Sequence, residues 1–147
     1  MKKKRETLPT RQMIAIAVTE ADAERLTHLL QAQCTRSIMP RTFPALQKKL
    51  DEAEWLDSRL IPPDVVTMNS TVRLRSLESG EEVIRTLAFP YGADPAQGRV
   101  SILTSFGTAM LGRQVGDFME CEVSDGTMRF QIEGVLYQPE AANDDDW

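Results

Sequence analysis

The chain is poor in the residues that most often carry metal and redox chemistry: its 147 residues include one histidine, His28, and two cysteines, Cys34 and Cys121. One imidazole excludes a histidine-rich metal site. His28, set among helix formers beside Leu29, reads as a partly exposed helix residue rather than the base of a Ser-His-Asp arrangement. The cysteines lie far apart without C-x-x-C spacing, which argues against a disulfide framework or a zinc clip and for two free thiols in a reducing compartment. Aromatic residues are scarce too, at 6%. No apolar run approaches the roughly 20 residues of a membrane helix. "MIAIAV" (Met13 to Val18) is far shorter. It makes no signal peptide with Lys2, Lys3, Lys4 and Arg5, because Thr7, Pro9, Thr10, Arg11 and Gln12 intervene and no small-residue cleavage site follows. These absences predict a cytoplasmic protein without metal, cofactor, catalytic residue or membrane partner.

What is present suits one substantial core, or a core with a small helical appendage: 41% of residues are hydrophobic. The net charge of -5 argues against general or sequence-specific nucleic-acid binding, which needs clustered positive charge. Charge is segregated, with "KKKRE" opening the chain and "NDDDW" closing it. Both read as solvated ends. Contact of the basic arm with RNA or an acidic partner surface is the alternative. Asp144, Asp145 and Asp146 read as an acidic tail, not a metal site.

Two amphipathic helices are predicted first. In "TEADAERLTHLLQAQ", Thr19 takes the N-cap position with Asp22 three residues on. Ala23, Leu26, Leu29, Leu30 and Gln33 form its apolar stripe, and the helix is expected to end near Gln33. "CTRSIMPRTFP" carries Pro40 and Pro44 and reads as a loop. "PALQKKLDEAEWLDSRL" follows, with Pro44 in the first turn and a stripe through Leu46, Leu50, Ala53, Leu56 or Asp57, and Leu60. The pair is expected to form an antiparallel hairpin. Pro62 and Pro63 stop the second helix and mark a domain boundary.

Beyond them the period changes to alternation. "STVRLRSL" sets Val72 and Leu74 against Thr71, Arg73 and Arg75, a half-buried strand. Gly80 turns the chain into "VIRTLAFP", and "ADPAQG" leads into "RVSILTS", with Val100 and Ile102 alternating against Ser101 and Leu103. "DFMECEVSDGTMRFQIEGVLYQ" divides at Asp125-Gly126, a hairpin dipeptide. The expected fold is α+β: a basic arm over 1–12, a short helical-hairpin domain over 13–61, a twisted antiparallel sheet with one short helix over 62–140, and an acidic tail over 141–147. That short helix falls in "SFGTAMLGRQVGD". Ser105 is its expected cap and Gly112 its left-handed terminator, Ala109, Met110 and Leu111 face the sheet, and Gly116 and Asp117 turn into the next strand.

The order of "DVVTMNS", "RTL", "SFGTAMLGRQVGD" and "VLYQPEA" over Asp64 to Ala142 resembles the Gre transcript-cleavage factors, in their C-terminal domain and above all in their Rnk branch. The Gre segment reads approximately S-P-x-G-x-A-L-L-G-x-x-x-G-D. The resemblance implies an FKBP-like sheet domain that docks on bacterial RNA polymerase at the rim of the secondary channel, here through Thr104, Ser105, Phe106 and Gly107. It also implies a coiled coil that reaches inward. In Gre factors, acidic residues at the coiled-coil tip help hold a catalytic Mg²⁺ in the polymerase, a task suited to carboxylates. The corresponding tip here, Gln33 to Thr42, has no Asp or Glu. Arg36, Ser37, Ile38, Met39 and Arg41 are its candidate contacts, the arginines suited to acidic groups or phosphate. Roughly fifteen helical residues extend only about 22 Å.

The implied function is that of a non-catalytic transcription regulator that binds polymerase without stimulating RNA cleavage. The Rnk name, regulator of nucleoside diphosphate kinase, adds that kinase as an alternative partner, reached directly or indirectly. Peptidyl-prolyl isomerase activity rests on fold analogy alone and is poorly supplied with aromatics. Phe106 departs from the Gre pattern, where proline stands. It reads either as an interface anchor or as a core residue.

Overall fold

The computed structural model describes residues 16–35, 43–123 and 126–142. The chain divides between Ile61 and Pro62 into two compact units.

The first unit is ordered β1 (Ala17–Thr19), α1 (Glu20–Thr35), α2 (Pro44–Glu52), β2 (Glu54–Leu56). Thr19 caps α1: its Oγ1 accepts the Asp22 amide at 3.0 Å, satisfying one of the four amides a helix start leaves open. Ala23, Leu26 and Leu30 of α1 are buried, as are Leu46 and Leu50 of α2, while His28 is exposed. The second helix stops well before the expected Leu60. Ala53 is extended (φ -77, ψ 156), and Glu54, Trp55 and Leu56 pair in parallel with Ala17, Val18 and Thr19. The Trp55 Nε1 donates to the Leu50 carbonyl at 3.1 Å, using an acceptor that the end of α2 leaves free. Leu60 lies in a single 3-10 turn, Ser58–Leu60, and is 68% exposed. The helical spacing of Leu56 and Leu60 is therefore not a packing stripe, and the N-terminal unit contains a two-stranded parallel sheet as well as helices. Asp57 accepts the Arg59 amide and side chain at 2.9 and 3.0 Å, and these bonds hold its carboxyl down at about 2.

The second unit contains β3 (Thr71–Ser76), β4 (Glu82–Ala88), β5 (Arg99–Ser101), α3 (Ser105–Met110), β6 (Phe118–Val123) and β7 (Gly126–Tyr137). Its sheet runs β5-β4-β3-β7-β6. β3 behaves as its alternation predicts, with Val72 and Leu74 buried and Thr71, Arg73 and Arg75 on the other face. Gly80 (φ 76) turns the chain into β4. β6 and β7 close with Val123 opposite Gly126, so the turn lies at 124–125, outside the described residues.

The sheet is mixed rather than wholly antiparallel. β5 runs parallel to β4, with Ala88 opposite Ser101. The connection between them makes two 3-10 turns, Pro90–Gly92 and Pro95–Gln97, and returns the chain to Thr86, so that β5 runs beside the last three residues of β4 instead of reversing in a hairpin. Against β3, β7 skips Glu133 and Leu136, two bulges that re-aim side chains. Glu133 reaches the Arg75 guanidinium in a two-point contact at 2.8 and 3.1 Å, and Glu82 lies 3.4 Å from both Arg73 and Arg75. Arg75 holds the Glu133 carboxyl below its ordinary value, chiefly by hydrogen bonding.

The opposite face of the sheet buries Val72, Leu74, Leu87, Met119, Phe130 and Ile132 with Met110 and Leu111 of the α3 segment. Below it, two motifs far apart in sequence meet. Thr67 Oγ1 donates to Glu140 at 2.7 Å and shares a 2.9 Å bond with Ser70 Oγ. The buried Gln138 Nε2 donates to the carbonyls of Pro62 and Val65, both at 2.8 Å. Gln138→Ala deletes this donor and leaves buried carbonyls short of a partner, so it is expected to cost about 2–3 kcal/mol. The checking measurement is urea unfolding, with a lower midpoint at an unchanged slope.

Candidate docking site

The segment from Ser101 to Asp117 joins the two outer strands of the sheet, β5 and β6, through α3. Its first turn is closed by side chains. Ser101 Oγ accepts the Leu103 amide at 3.0 Å, and Thr104 Oγ1 donates to the Ser101 carbonyl at 2.7 Å. Thr104, not Ser105, is the N-cap, its Oγ1 accepting the Gly107 amide at 3.0 Å. Either hydroxyl suits the role by composition; the extended backbone at Thr104 (φ -85, ψ 161) decides it. Ser105 is thereby free for another bond, and its Oγ accepts the Glu122 amide of β6 at 2.9 Å.

Gly107 is buried, and a Cβ there would overlap the Ser101 carbonyl oxygen and stand 2.8 Å from its carbon and 3.0 Å from Ile102 Cα. Only glycine lets the helix lie this close to the strand end. Thr108 Oγ1 donates to the Ile102 carbonyl at 2.8 Å and fastens the next turn. Leu111 ends α3, and Gly112 follows with φ 83, the predicted left-handed exit. Asp117 Oδ2 accepts the Gln114 amide at 2.9 Å to close the last turn.

The four predicted docking residues thus divide. Thr104 and Ser105 are exposed, Phe106 is half-buried, and Gly107 is buried. Phe106 meets Phe130 edge to face, centroids 5.2 Å apart at 67°, an arrangement favoured by the ring quadrupoles. The tip residues Arg36, Ser37, Ile38, Met39 and Arg41 lie outside the described residues. Among the described residues no three His, Cys, Asp or Glu side chains converge to hold a metal, and no helix is long and apolar enough to cross a membrane. Burial, with a smaller contribution from Glu78, raises the Cys121 thiol above its usual value, which favours the neutral thiol over the nucleophilic thiolate.

Residues 61–137 match the family model for the GreA/GreB transcription elongation factor C-terminal region. The chain belongs to the GreA/GreB family. It is 37% identical over 130 residues to the regulator of nucleoside diphosphate kinase of Escherichia coli K12, covering 88% of this chain and 94% of that protein. It is 29% identical over 124 residues to the transcription elongation factor GreA of Clostridium beijerinckii, covering 84% and 78%. A solved GreA/GreB elongation factor from Nitrosomonas europaea is 40% identical and superposes with a TM-score of 0.68, covering 83% of this chain and 99% of that one. In this GreA/GreB chain, "VVTMNS" and "YQPE" are the two halves of the Thr67–Glu140 and Gln138 network. Sequence order alone offered no signal that they touch.

Gly107→Ala is expected to lower stability by about 2–3 kcal/mol through overpacking against the Ser101–Ile102 peptide. Thermal unfolding of the variant beside the parent chain checks this.

Proposed function

We propose that this protein is a non-catalytic transcription regulator that binds RNA polymerase near its secondary channel without stimulating RNA cleavage. Membership of the GreA/GreB family supports the polymerase as partner. The observation that carries the second half is the composition of residues 33–42, which contain no Asp or Glu. Without a carboxylate there, the segment offers no anionic oxygen ligand to a Mg²⁺ ion in the polymerase. The helices that lead to and from it are short as well. α1 has 16 residues and α2 has 9, lengths of about 24 Å and 14 Å. In this reading Thr104 and Ser105 present the docking surface, Phe106 and Gly107 hold its shape, and Arg36, Ser37, Ile38, Met39 and Arg41 enter the channel.

The name of the 37% identical relative favours a second reading, regulation of nucleoside diphosphate kinase. A direct effect requires the kinase rate to change when the two purified proteins are mixed.

The test of the main reading is capture of core RNA polymerase by the purified chain, with displacement by a GreA factor, beside a cleavage assay on backtracked complexes. Binding with competition and no added cleavage is the expected result. Absence of binding at micromolar concentration, where a GreA factor binds, sinks the reading. Stimulated cleavage overturns its non-catalytic half. The double variant Arg36→Ala and Arg41→Ala is expected to bind more weakly if the tip meets acidic groups or phosphate in the channel.

A further inference from the structure

Three observations single out Tyr91. It is 85% exposed, yet its ring has a buried aromatic neighbour. Its ring stacks on Phe89 with centroids 5.6 Å apart and planes at 2°, and Phe89 is 4% exposed. The loop beneath is closed by hydrogen bonds. Gly92 and Ala93 amides donate to the carbonyls of Phe89 and Pro90 at 2.9 and 3.2 Å, Asp94 and Arg99 exchange backbone bonds at 2.9 and 3.0 Å, and Arg99 Nε donates to the Gly92 carbonyl at 2.8 Å. An exposed aromatic on a hydrogen-bonded loop leaves less backbone to be ordered on binding.

Its position is the second observation. β4 and β5 are parallel, with Ala88 beside Ser101 and the Ile102 amide bonded to the Ala88 carbonyl at 2.8 Å. Tyr91 follows Ala88, and Thr104 follows Ser101, by the same short step. Both segments therefore leave the sheet at the same end.

Charge is the third. Residues 62–147 carry fourteen Asp and Glu against six arginines and no lysine. Of the arginines, Arg73, Arg75 and Arg129 are paired with Glu82, Glu133 and Glu78. Such a unit repels nucleic-acid phosphate and attracts a positively charged protein surface. The Tyr91 ring touches Phe89 only in an offset stack and at 85% exposure leaves its face open to a Lys or Arg side chain laid across it.

We propose that Tyr91 anchors the same docking face as Thr104 and Ser105, and that this face takes a positively charged patch of the polymerase. The inference rests on the polymerase-binding reading above. It is tested by measuring affinity for core polymerase over a range of salt for the parent chain, Tyr91→Ala, Tyr91→Phe and, as a control, Ile84→Ala, which trims an exposed residue of β4. Tyr91→Ala is expected to bind about tenfold or more weakly, with Tyr91→Phe and Ile84→Ala within about twofold of the parent. Melting temperatures should agree among the four, and parent affinity should fall as salt rises. Parent-like binding by Tyr91→Ala, or an equal loss in Ile84→Ala, overturns the role of Tyr91 and leaves polymerase binding standing. Affinity that ignores salt overturns the positively charged patch. No binding by the parent overturns both this inference and the reading beneath it.

Discussion

The backbone contact between α3 and the turn after β5 sets the spacing of everything around it. With no side chain at Gly107, the helix lies directly on the Ser101–Ile102 peptide. At that distance Thr104 can cap the helix, Thr108 can reach the Ile102 carbonyl and Ser105 can reach β6. The two outer strands of the sheet are linked covalently through this six-residue helix, so its height over the sheet also fixes where Phe106 meets Phe130. The buried half of the segment is thus the reason its exposed half has a defined shape.

Elements whose cause is local were legible in the sequence. β3 announces itself by alternation, the β6–β7 pair by its Asp125-Gly126 dipeptide, and the caps at Thr19 and Gly112 by residue type. What was missed has causes distant in sequence. Leu56 and Leu60 extend the period of α2, but pairing of Glu54–Leu56 with β1 and the Trp55 bond to Leu50 end the helix at Glu52. The parallel course of β5 depends on two 3-10 turns that composition alone reads as a simple hairpin turn. Thr104 and Ser105 are equivalent as capping residues, and only the backbone separates them. At the candidate site, family resemblance singles out the loop as a candidate, while the packing of Phe106 depends on the partner ring of Phe130.

The choice of basic residues in the second unit is as informative as its net charge. Every cation from Pro62 onward is arginine, whose planar fork can bind a carboxylate at two points, as Arg75 binds Glu133. At the bulge of β7, Gly134 leaves room for this chemistry: a Cβ there would stand 3.2 Å from an Arg73 nitrogen. The Arg–Glu cluster thereby neutralises one face of the sheet and leaves the surplus of negative charge to other surfaces. Such a charge pattern is unfavourable to nucleic-acid phosphate, a statement that fold alone does not license.

The Ser105 hydroxyl, described above as a fastening between helix and strand, also matters for the protein as a population of molecules. β6 is an outer strand, and outer strands offer unpaired amides on which further strands can grow. By occupying the outward amide of Glu122, Ser105 removes one rung from that ladder. Glu120 and Glu122, both exposed, add like-charge repulsion between copies. The α3 segment thus also caps part of the sheet edge, and loss of the Ser105 hydroxyl would reopen one amide of β6 to pairing.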